Sequence, residues 1–461
     1  MRGWAMSAGA SPRIGVKSSP PARPALFRLP AFMTPTPQTF VRAATRKAVV
    51  TLTGLLAVSA AFAQSGGATA DKALLHRAQQ AQPAVIETLR QMVLIESGSQ
   101  DLEGLGKMAN LMESRLRLLG FTTERRKVTA GPGGDIVIGT MHGNGTRNLM
   151  LQGHMDTVYE RGVLQSQPYR VDGNRLYGPG IADDKGGLAV ILHSLQLLLD
   201  GGWRDFHTLT VVANPDEEIG SIGSGELLAD IASRQDAVLS CEPTAAKSVA
   251  KTESVLLGAA GVSSVTMQVK GRASHAGAAP DLGRNALIEL AHQMLQTRDV
   301  AKDIPGAALN WTNATATQAT NQIPALAEAV ADVRVTREGA DQKMMEALRA
   351  KVASSRLVPD TETAVTYKLG RPVFVANAAG RSMAELAKRI YGELDRPLAL
   401  IEMTGGGTDA GYANRSGKAA VVESFGLAGF GFHARDEYVE LDSIVPRLYL
   451  AARVLTEFGK R

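Results

Sequence analysis

The sequence reads NLMLQG at residues 148–153, GGLAVILHSLQLLLD at 186–200 and TLTVVAN at 208–214. The first and third stretches are short apolar runs typical of buried strands, and the second has the length and apolar character of a buried helix. A strand, a helix and a strand in this order are typical of an α/β fold with a parallel sheet. A further apolar run at 238–240 predicts another strand, and residues 105–119 carry apolar side chains at helical spacing.

The chain between about 260 and 369 follows a different pattern. Helical and strand-like segments occur there in the order β-α-β-β-α-β, which is the order of a split βαβ unit. The predicted elements are strands at 262–271, 308–317, 327–335 and 363–370 and helices near 287–295 and 341–352. We therefore predict a parallel-sheet domain, formed by 74–259 and 370–461, that is interrupted by an inserted ferredoxin-like domain at 260–369.

Composition and charge narrow the class of protein. Of the 461 residues, 44% are hydrophobic and 21% are charged, which excludes a wholly disordered or fibrous chain. The net charge of +5 comes from residues 1–63, which hold eight Lys and Arg and no Asp or Glu. The rest of the chain has 42 basic and 45 acidic residues, so its charge gives no support to nucleic-acid binding. The single cysteine, Cys241, excludes an internal disulfide and is predicted to be a buried core residue.

The N-terminal residues 1–63 have the pattern of a leader. Basic residues precede the apolar run AVVTLTGLLAVSAAFA at 48–63, which ends in Ala-Phe-Ala before Gln64. This pattern predicts a secretory signal peptide and an exported protein, either periplasmic or secreted. A membrane anchor is the alternative, but the run is shorter than the roughly 20 residues that span a bilayer. Residues 1–32 are rich in Pro, Ser and Arg, which is not typical of the segment that precedes a signal peptide, so Met33 is a second candidate start.

Five clusters of acidic or histidine residues follow predicted strands or lie on glycine-rich turns. In open α/β sheets, ligands bind at the carboxyl ends of the strands. Taken singly, each cluster has an ordinary explanation, such as a helix cap, a solvated turn or a buried histidine. Together they offer nitrogen and oxygen ligands that suit zinc-like divalent ions, and one carboxylate, Glu217, remains as a base. The ligand candidates are His154, Asp183, Glu218, Glu242 and His433.

The chain resembles the co-catalytic zinc peptidases and amidohydrolases, a family that includes aminoacylases, desuccinylases and secreted glutamate carboxypeptidases of the carboxypeptidase G type. The resemblance covers essentially the whole mature chain. It is carried, in order, by GHMDTVY, YGPGIADDKGG, DEEIGS, CEPT, GRASHAGAAP, TGGGTDA and GFGFH. It implies a zinc-exopeptidase-like mixed sheet with helices on both faces, interrupted by a ferredoxin-like dimerisation domain.

The resemblance also implies roles for the clustered residues. His154 and Glu242 would bind one zinc ion, Glu218 and His433 a second, and Asp183 would bridge the two. Asp156 would orient His154, because metal-bound imidazoles usually have a hydrogen-bonding partner. Glu217 would act as general base and then as acid to the leaving amine.

Further residues of the chain match substrate-binding positions of this family. The resemblance implies a homodimer in which His275 reaches the partner's active site and stabilises the oxyanion. Asn321, Arg334 and Arg371 match carboxylate and oxyanion contacts, although a surface ion pair is the alternative for either arginine. Gly406 and Gly407 lie in TGGGTDA, which lacks the Lys-Ser/Thr of a P-loop. Their backbone N–H groups are predicted to receive the substrate carboxylate.

These residues predict a metallo-exopeptidase that releases C-terminal glutamate from N-acyl or folate-like donors. A dipeptidase or an aminoacylase-type amidohydrolase of the same family is the alternative. A non-catalytic metal- or peptide-binding relative is disfavoured, because this chain keeps Glu217 and all five candidate ligands. A small peptide or N-acyl amino acid is the expected partner, without nucleic acid.

Overall fold

The computed structural model describes residues 69–316 and 319–460, so the predicted leader lies outside the described residues. The helices are α1 Lys72–Val93, α2 Leu102–Leu118, α3 Lys185–Asp200, α4 Gly225–Ala232, α5 Ala286–Thr297, α6 Ala340–Ser354, α7 Ala378–Gly392, α8 Ala410–Asn414 and α9 Ile444–Gly459. The strands are β1 Thr122–Lys127, β2 Asp135–His142, β3 Asn148–His154, β4 Arg170–Asp172, β5 Arg175–Tyr177, β6 Thr208–Asn214, β7 Ala237–Ser240, β8 Thr244–Ala245, β9 Ser254–Leu256, β10 Gly258–Ala259, β11 Gly261–Lys270, β12 Ser274–His275, β13 Ala307–Ala316, β14 Gln322–Ile323, β15 Leu326–Val335, β16 Glu362–Arg371, β17 Phe374–Val375, β18 Ala399–Ile401, β19 Ala420–Val422, β20 Ala428–Phe430 and β21 Tyr438–Glu440.

A six-stranded sheet with the order β1-β2-β6-β3-β7-β19 forms the centre of the molecule. Strands β6, β3, β7 and β19 are parallel, whereas β1 and β2 pair antiparallel with their neighbours. The prediction of a parallel sheet is therefore wrong at one edge. The reason is that only residues 128–134 separate β1 from β2, which is too short for the crossover that parallel pairing needs. The sheet is mixed, as the resemblance implied.

The central strands are buried on both faces. Every residue of β7, and every residue of β3 after Asn148, is buried. Because successive side chains of a strand point to opposite faces, burial of consecutive residues requires packed layers on both sides of the sheet. Helices α1, α3 and α9 pack against one another, and α2 and α7 contact β2 and β19.

A second sheet, with the order β13-β15-β11-β16, is antiparallel throughout. With α5 and α6 it has the predicted β-α-β-β-α-β order. Side chains along β11 and β15 alternate between buried and partly exposed positions, so one face packs and the other faces solvent. Met267, Leu290 and Met344 belong to a hydrophobic cluster separate from the core of the six-stranded sheet. The residue limits of the two predicted domains stay a prediction.

The parallel strands bring several chain segments together at the carboxyl ends of the central strands. His154, the last residue of β3, lies beside Asn214, the last residue of β6, and β7 ends beside them at Ser240. The segments that follow these strands therefore emerge close together. Within the described residues, no helix has the length and apolar character needed to cross a membrane.

Candidate metal centre

Two histidines and three carboxylates meet at the carboxyl ends of the central strands. His154 Nε2 lies 3.0 Å from Asp183 Oδ1 and 3.5 Å from Glu242 Oε1. His433 Nε2 lies 3.4 Å from Asp183 Oδ2 and 3.0 Å from Glu218 Oε2. The two oxygens of Asp183 therefore face two different histidines, with one glutamate beside each histidine.

The donor set fits divalent ions of the zinc type. The possible ligand atoms of His154, Glu217 and Glu242 lie within 4.8 Å of one another, as do those of Asp183, Glu218 and His433. Imidazole nitrogen and carboxylate oxygen are ligands that zinc accepts. Burial raises the pKa of the Glu218 and Glu242 carboxyls, and hydrogen bonds to Asp183 and Glu218 raise the pKa of His433 to about 10. After burial, the neighbouring Asp183 carboxylate also raises the pKa of both glutamates, and a bound cation would favour their ionised forms.

The adjacent residues Asp183 and Asp184 have different partners. Asp184 caps α3: its side chain accepts hydrogen bonds from Gly187 N and from His154 N, both at 3.2 Å. One aspartate is enough to cap the helix, as the sequence indicated. Asp183 is thereby left to contact both histidines.

The three adjacent carboxylates at 216–218 point to three different sets of partners. Asp216 accepts hydrogen bonds from Gly223 N at 2.7 Å and Ser224 N at 3.2 Å, so it holds the following turn. Glu217 Oε1 lies 2.9 Å from Arg371 Nη2, and Glu218 faces His433. Glu217 thus has a cationic partner in the protein.

Asp156 connects the first histidine to this acidic turn. Its carboxylate accepts hydrogen bonds from Glu217 N at 3.0 Å, Glu218 N at 3.1 Å and Ser99 Oγ at 2.7 Å. His154 Nδ1 lies 3.0 Å from the Asp156 backbone carbonyl oxygen and 3.3 Å from Asp156 Oδ1. Asp156 therefore orients the imidazole, chiefly through its carbonyl, and through its carboxylate holds the turn that carries Glu217 and Glu218.

Glu437 is a site residue that the sequence analysis missed. Its buried carboxylate accepts hydrogen bonds from Gly180 N at 2.8 Å, Ala182 N at 2.8 Å and Asp183 N at 3.0 Å. It also accepts one from the Tyr159 hydroxyl at 2.8 Å. Glu437 thereby fixes the backbone that presents Asp183. Its signal in the sequence is an acidic residue shortly after His433 in the same loop.

A cavity of about 930 Å³ opens above the ligand candidates. Asp183, Glu217, Glu218, Glu242 and His433 line it together with Arg334, Arg371, Gly406 and Gly407. The structure therefore brings four of the predicted substrate-binding residues to the candidate metal centre. A Cβ atom on Gly407 would lie 2.6 Å from Val262 Cγ2, so only glycine lets the loop approach β11 this closely.

The two arginines of the cavity differ in how they are held. Arg371 is buried; besides Glu217 Oε1, its guanidinium donates to Gly407 O at 2.8 Å and to Glu217 O. Arg334 is half-exposed and donates to Asp332 Oδ2 at 2.9 Å and to Gly405 O at 3.4 Å. Arg371 therefore contacts the carboxylate of Glu217 directly, a contact that the sequence did not reveal.

His275 and Asn321 lie next to each other but not among the residues that line this cavity. Asn321 O accepts a hydrogen bond from Ala276 N at 2.9 Å, and β12 pairs with β14 beside them. Both residues are exposed. His275 Nδ1 accepts from Gly277 N at 3.2 Å and Ala278 N at 3.1 Å, which leaves Nε2 turned away from its own turn.

Comparison with known proteins identifies relatives that match most of the chain. Residues 150–457 match the family model of peptidase family M20/M25/M40. The chain is 44% identical to carboxypeptidase G2 of Pseudomonas sp. (strain RS-16) over 411 residues, which covers 88% of this chain and 98% of that protein. It is 29% identical to the acetylornithine deacetylase of Proteus mirabilis over 274 residues, which covers 55% of this chain and 67% of that protein.

Solved structures share the fold at low sequence identity. The aminopeptidase PepT from Bacillus cereus superposes with a TM-score of 0.67 at 18% identity, covering 82% of this chain and 99% of that chain. The M20 family metallo-carboxypeptidase Sso-CP2 from Sulfolobus solfataricus superposes with a TM-score of 0.65, also at 18% identity and with the same coverage. The mixed sheet and the additional antiparallel sheet thus belong to a known architecture.

Proposed function

Because this chain belongs to peptidase family M20/M25/M40, we propose that it is a zinc metallocarboxypeptidase that releases C-terminal glutamate from N-acyl or folate-like donors. The observation that carries the proposal is the donor set at one end of a cavity that also contains two arginines. Identity of 44% to carboxypeptidase G2 over nearly its whole length supports the same reaction.

We assign two zinc ions to this centre, one held by His154 and Glu242 and one by Glu218 and His433. Asp183 would contact both ions, since each of its oxygens already faces one histidine. When bound, the ions supply the Lewis acidity that lowers the pKa of a water molecule and polarises the amide carbonyl.

Glu217 is the proton carrier in this proposal. Its carboxylate accepts a proton from the attacking water and donates it to the leaving amide nitrogen. Arg371, 2.9 Å away, balances its charge and fixes its orientation, so Glu217 is not needed as a metal ligand. The Asp156 carboxylate holds the Glu217 backbone from the other side.

Recognition of the leaving residue is assigned to the cavity wall away from the metal centre. Arg334 is half-exposed in the cavity, and a guanidinium binds a carboxylate through two parallel hydrogen bonds. Arg371 and the backbone of Gly406 and Gly407 form the adjoining wall. A glutamate brings two carboxylates to these groups, whereas alanine or leucine brings one.

A panel of N-acyl amino acids that differ only in the C-terminal residue tests this function. We expect kcat/KM for glutamate to exceed that for alanine or leucine by about 10²-fold, because a neutral side chain cannot form the charge-assisted hydrogen bonds that a second carboxylate forms with the cavity arginines. The N-acyl-glutamine substrate is the matched control, since it keeps the shape and removes the charge. Activity should be lost with a chelator and return with zinc. Equal cleavage of leucine and glutamate would replace this function by the broader amidohydrolase alternative.

We also propose a homodimer whose active sites are completed by the partner subunit. His275 and Asn321 are exposed beside each other and lie outside the cavity of their own chain. Helix α5 exposes Leu287, Ile288 and Leu295, apolar side chains that a partner would cover. His275 Nε2 would then donate a hydrogen bond to the developing oxyanion in the other subunit.

Export to the periplasm or the medium is part of the same proposal. It rests on the leader pattern at 1–63, which lies outside the described residues. Determination of the N-terminal residue of the mature protein tests it: a start near Gln64 supports a cleaved signal peptide.

A further inference from the structure

Two hydrogen bonds hold the backbone of the candidate ligand Glu242 from both sides. Its N–H donates to the buried Glu423 carboxylate, at 3.2 Å from Oε1, and its carbonyl oxygen accepts from Gly426 N at 3.0 Å. Both partners belong to the segment at 423–426. The position of a side chain follows from that of its backbone, so this segment sets where the Glu242 carboxylate points.

The segment at 423–426 follows β19 and lies close against Glu242. Because β19 is parallel to β7, both strands end at the same edge of the sheet. A Cβ atom on Gly426 would lie 2.3 Å from Cys241 O, so only glycine permits this approach. Ser424 has a φ of 70°, which residues other than glycine rarely adopt. The segment therefore depends on its surroundings to keep this conformation.

Arg447 of α9 supplies that support from the core. Its side chain is fully buried, its Nε donates to Gly426 O at 2.8 Å, and its Nη2 donates to Ser424 O. The donors of a guanidinium lie in one plane with fixed geometry, so a single arginine can bridge two carbonyl groups. Arg447 thereby holds two of the four residues of the segment that contacts Glu242.

The hydrogen bonds of Arg447 indicate why a charge is buried at this position. A buried guanidinium is costly unless other groups satisfy it. Its nearest carboxylate in the core is Glu253, whose Oε2 lies 3.9 Å from Arg447 Nη1. That carboxylate also accepts from the Tyr391 hydroxyl and from Arg396 Nη1, the latter at 3.2 Å. The close contacts of Arg447 are thus with the carbonyl groups of the segment.

We propose that Arg447 is a positioning residue that sets the affinity of the zinc ion assigned to His154 and Glu242. It acts through the segment at 423–426, without touching the ion or the substrate. The inference rests on the proposed function, which makes Glu242 a zinc ligand. Asp156 and Arg447 then hold the two ligands of this ion from opposite ends of the sequence.

The second zinc ion, assigned to Glu218 and His433, provides an internal reference. The backbone N–H of Glu218 donates to the Asp156 carboxylate at 3.1 Å, so a different residue holds this ligand. A change at Arg447 should therefore weaken one of the two ions more than the other. A general loss of folding would weaken both.

Two variants and one control test the assignment. Arg447→Lys keeps the charge but ends in one nitrogen, which cannot replace two nitrogens on two carbonyl groups. Glu423→Gln keeps the size of the side chain but offers the Glu242 N–H a neutral acceptor. The control is Arg453→Lys, since Arg453 lies on the same helix and pairs with Glu393 at 3.0 Å.

The measurement is zinc affinity, by competition with a chromogenic chelator well below the unfolding temperature of the metal-free protein. Arg447→Lys and Glu423→Gln should each weaken one zinc ion about 10–100-fold, the usual cost of losing a group that orients a metal ligand. The other ion should stay within about threefold of wild type, and Arg453→Lys should match wild type for both.

A double variant identifies the ion that is affected. In a Glu242→Ala background, Arg447→Lys should cause less than about a twofold further loss of zinc affinity, because both changes act on the same ligand. A purely structural role would lower the unfolding temperature of the metal-free protein and leave both zinc affinities unchanged.

Several outcomes would overturn the inference. They are wild-type affinity for both ions, equal weakening of both ions, and an undiminished effect of Arg447→Lys in the Glu242→Ala background. If Arg447→Lys does not fold, Glu423→Gln alone decides between these results. A wild-type protein that binds no zinc would overturn the proposed function as well, whereas two tightly bound ions in every variant would overturn only the role of Arg447.

Discussion

The two sheets of the molecule carry their functional side chains in different ways. The six-stranded sheet buries His154, Asp156 and Glu217 and connects them through hydrogen bonds. The four-stranded sheet and its loops leave His275 and Asn321 exposed and Arg334 half-exposed. Arg371, at the end of β16, is the exception, because it is buried against Glu217. In the proposed mechanism, the groups assigned to bond cleavage are therefore held within one chain, whereas His275, Asn321 and Arg334 are left open to a substrate or a partner.

Among the buried residues, replacement of the proposed base Glu217 should have the largest effect on activity. Glu217→Gln should lower kcat by about 10²–10⁴-fold or more, because the proton acceptor is lost. Zinc content should stay at the wild-type value, since the other carboxylates remain. Metal analysis beside kinetics measures both. The control is Glu226→Gln, a carboxylate paired with Arg415 at the surface, which should be near wild type. A metal-free Glu217→Gln protein would contradict the assignment.

Subunit mixing tests whether the exposed residue His275 acts in the active site of the partner subunit. His275→Ala should lower kcat by about 10²–10³-fold, as loss of an oxyanion-stabilising donor does. Mixing it with Glu217→Gln should restore about a quarter of wild-type activity, because half of randomly formed dimers are mixed and each has one complete site. Verified subunit exchange without regained activity would show that His275 does not act across the interface.

Glu437→Gln probes the support of Asp183 rather than the reaction itself. The amide keeps the size of the side chain but removes a charged acceptor from three backbone N–H groups. We expect zinc affinity or kcat to fall about 10–100-fold, the usual cost of losing a group that orients a metal ligand. Asp230→Asn, at an exposed i,i+4 ion pair with Arg234, is the control. Titration with zinc, rather than a single rate, distinguishes weakened binding from a failure to fold.

Arg334→Gln should give the smallest change, because this side chain is half-exposed. Loss of one charge-assisted contact should raise KM for acyl-glutamates about tenfold and leave kcat and thermal stability close to wild type. Arg349→Gln, an exposed arginine of α6, is the matched control. If KM is unchanged, the ion pair with Asp332 is the whole role of Arg334.

Continuous apolar runs and helical spacing predicted much of the fold. The strand at 208–214 agrees residue for residue with β6, because its apolar residues at 209 and 211–213 are all buried. Strand β1, with the sequence TTERRK, was not predicted because it lies at an edge and buries no residue. Its antiparallel pairing follows from loop length and neighbours, which hydrophobic pattern alone does not encode.

The site was predictable where residue type decides the chemistry. Histidines and carboxylates after strands indicated the ligand candidates, and the structure brings all five together. Asp156, two residues after His154, was expected to orient it. Glu437 was missed because its partners are distant in sequence: it binds the backbone of a residue 254 positions earlier. The contact between Arg371 and Glu217 likewise joins two separate sheets. Such pairings depend on tertiary structure, so a single sequence does not reveal them.

The burial of Cys241 has a practical consequence for measuring motion between the two sheets. It is the only cysteine of the chain, its side chain is fully enclosed, and burial raises its thiol pKa well above the usual range. Thiol reagents attack the thiolate of accessible cysteines, so the native thiol should remain unlabelled in the folded protein. The natural sequence can therefore serve directly as the background for site-specific fluorophores or spin labels. One new cysteine on α6 and another on α2 would report the separation of the two regions during turnover.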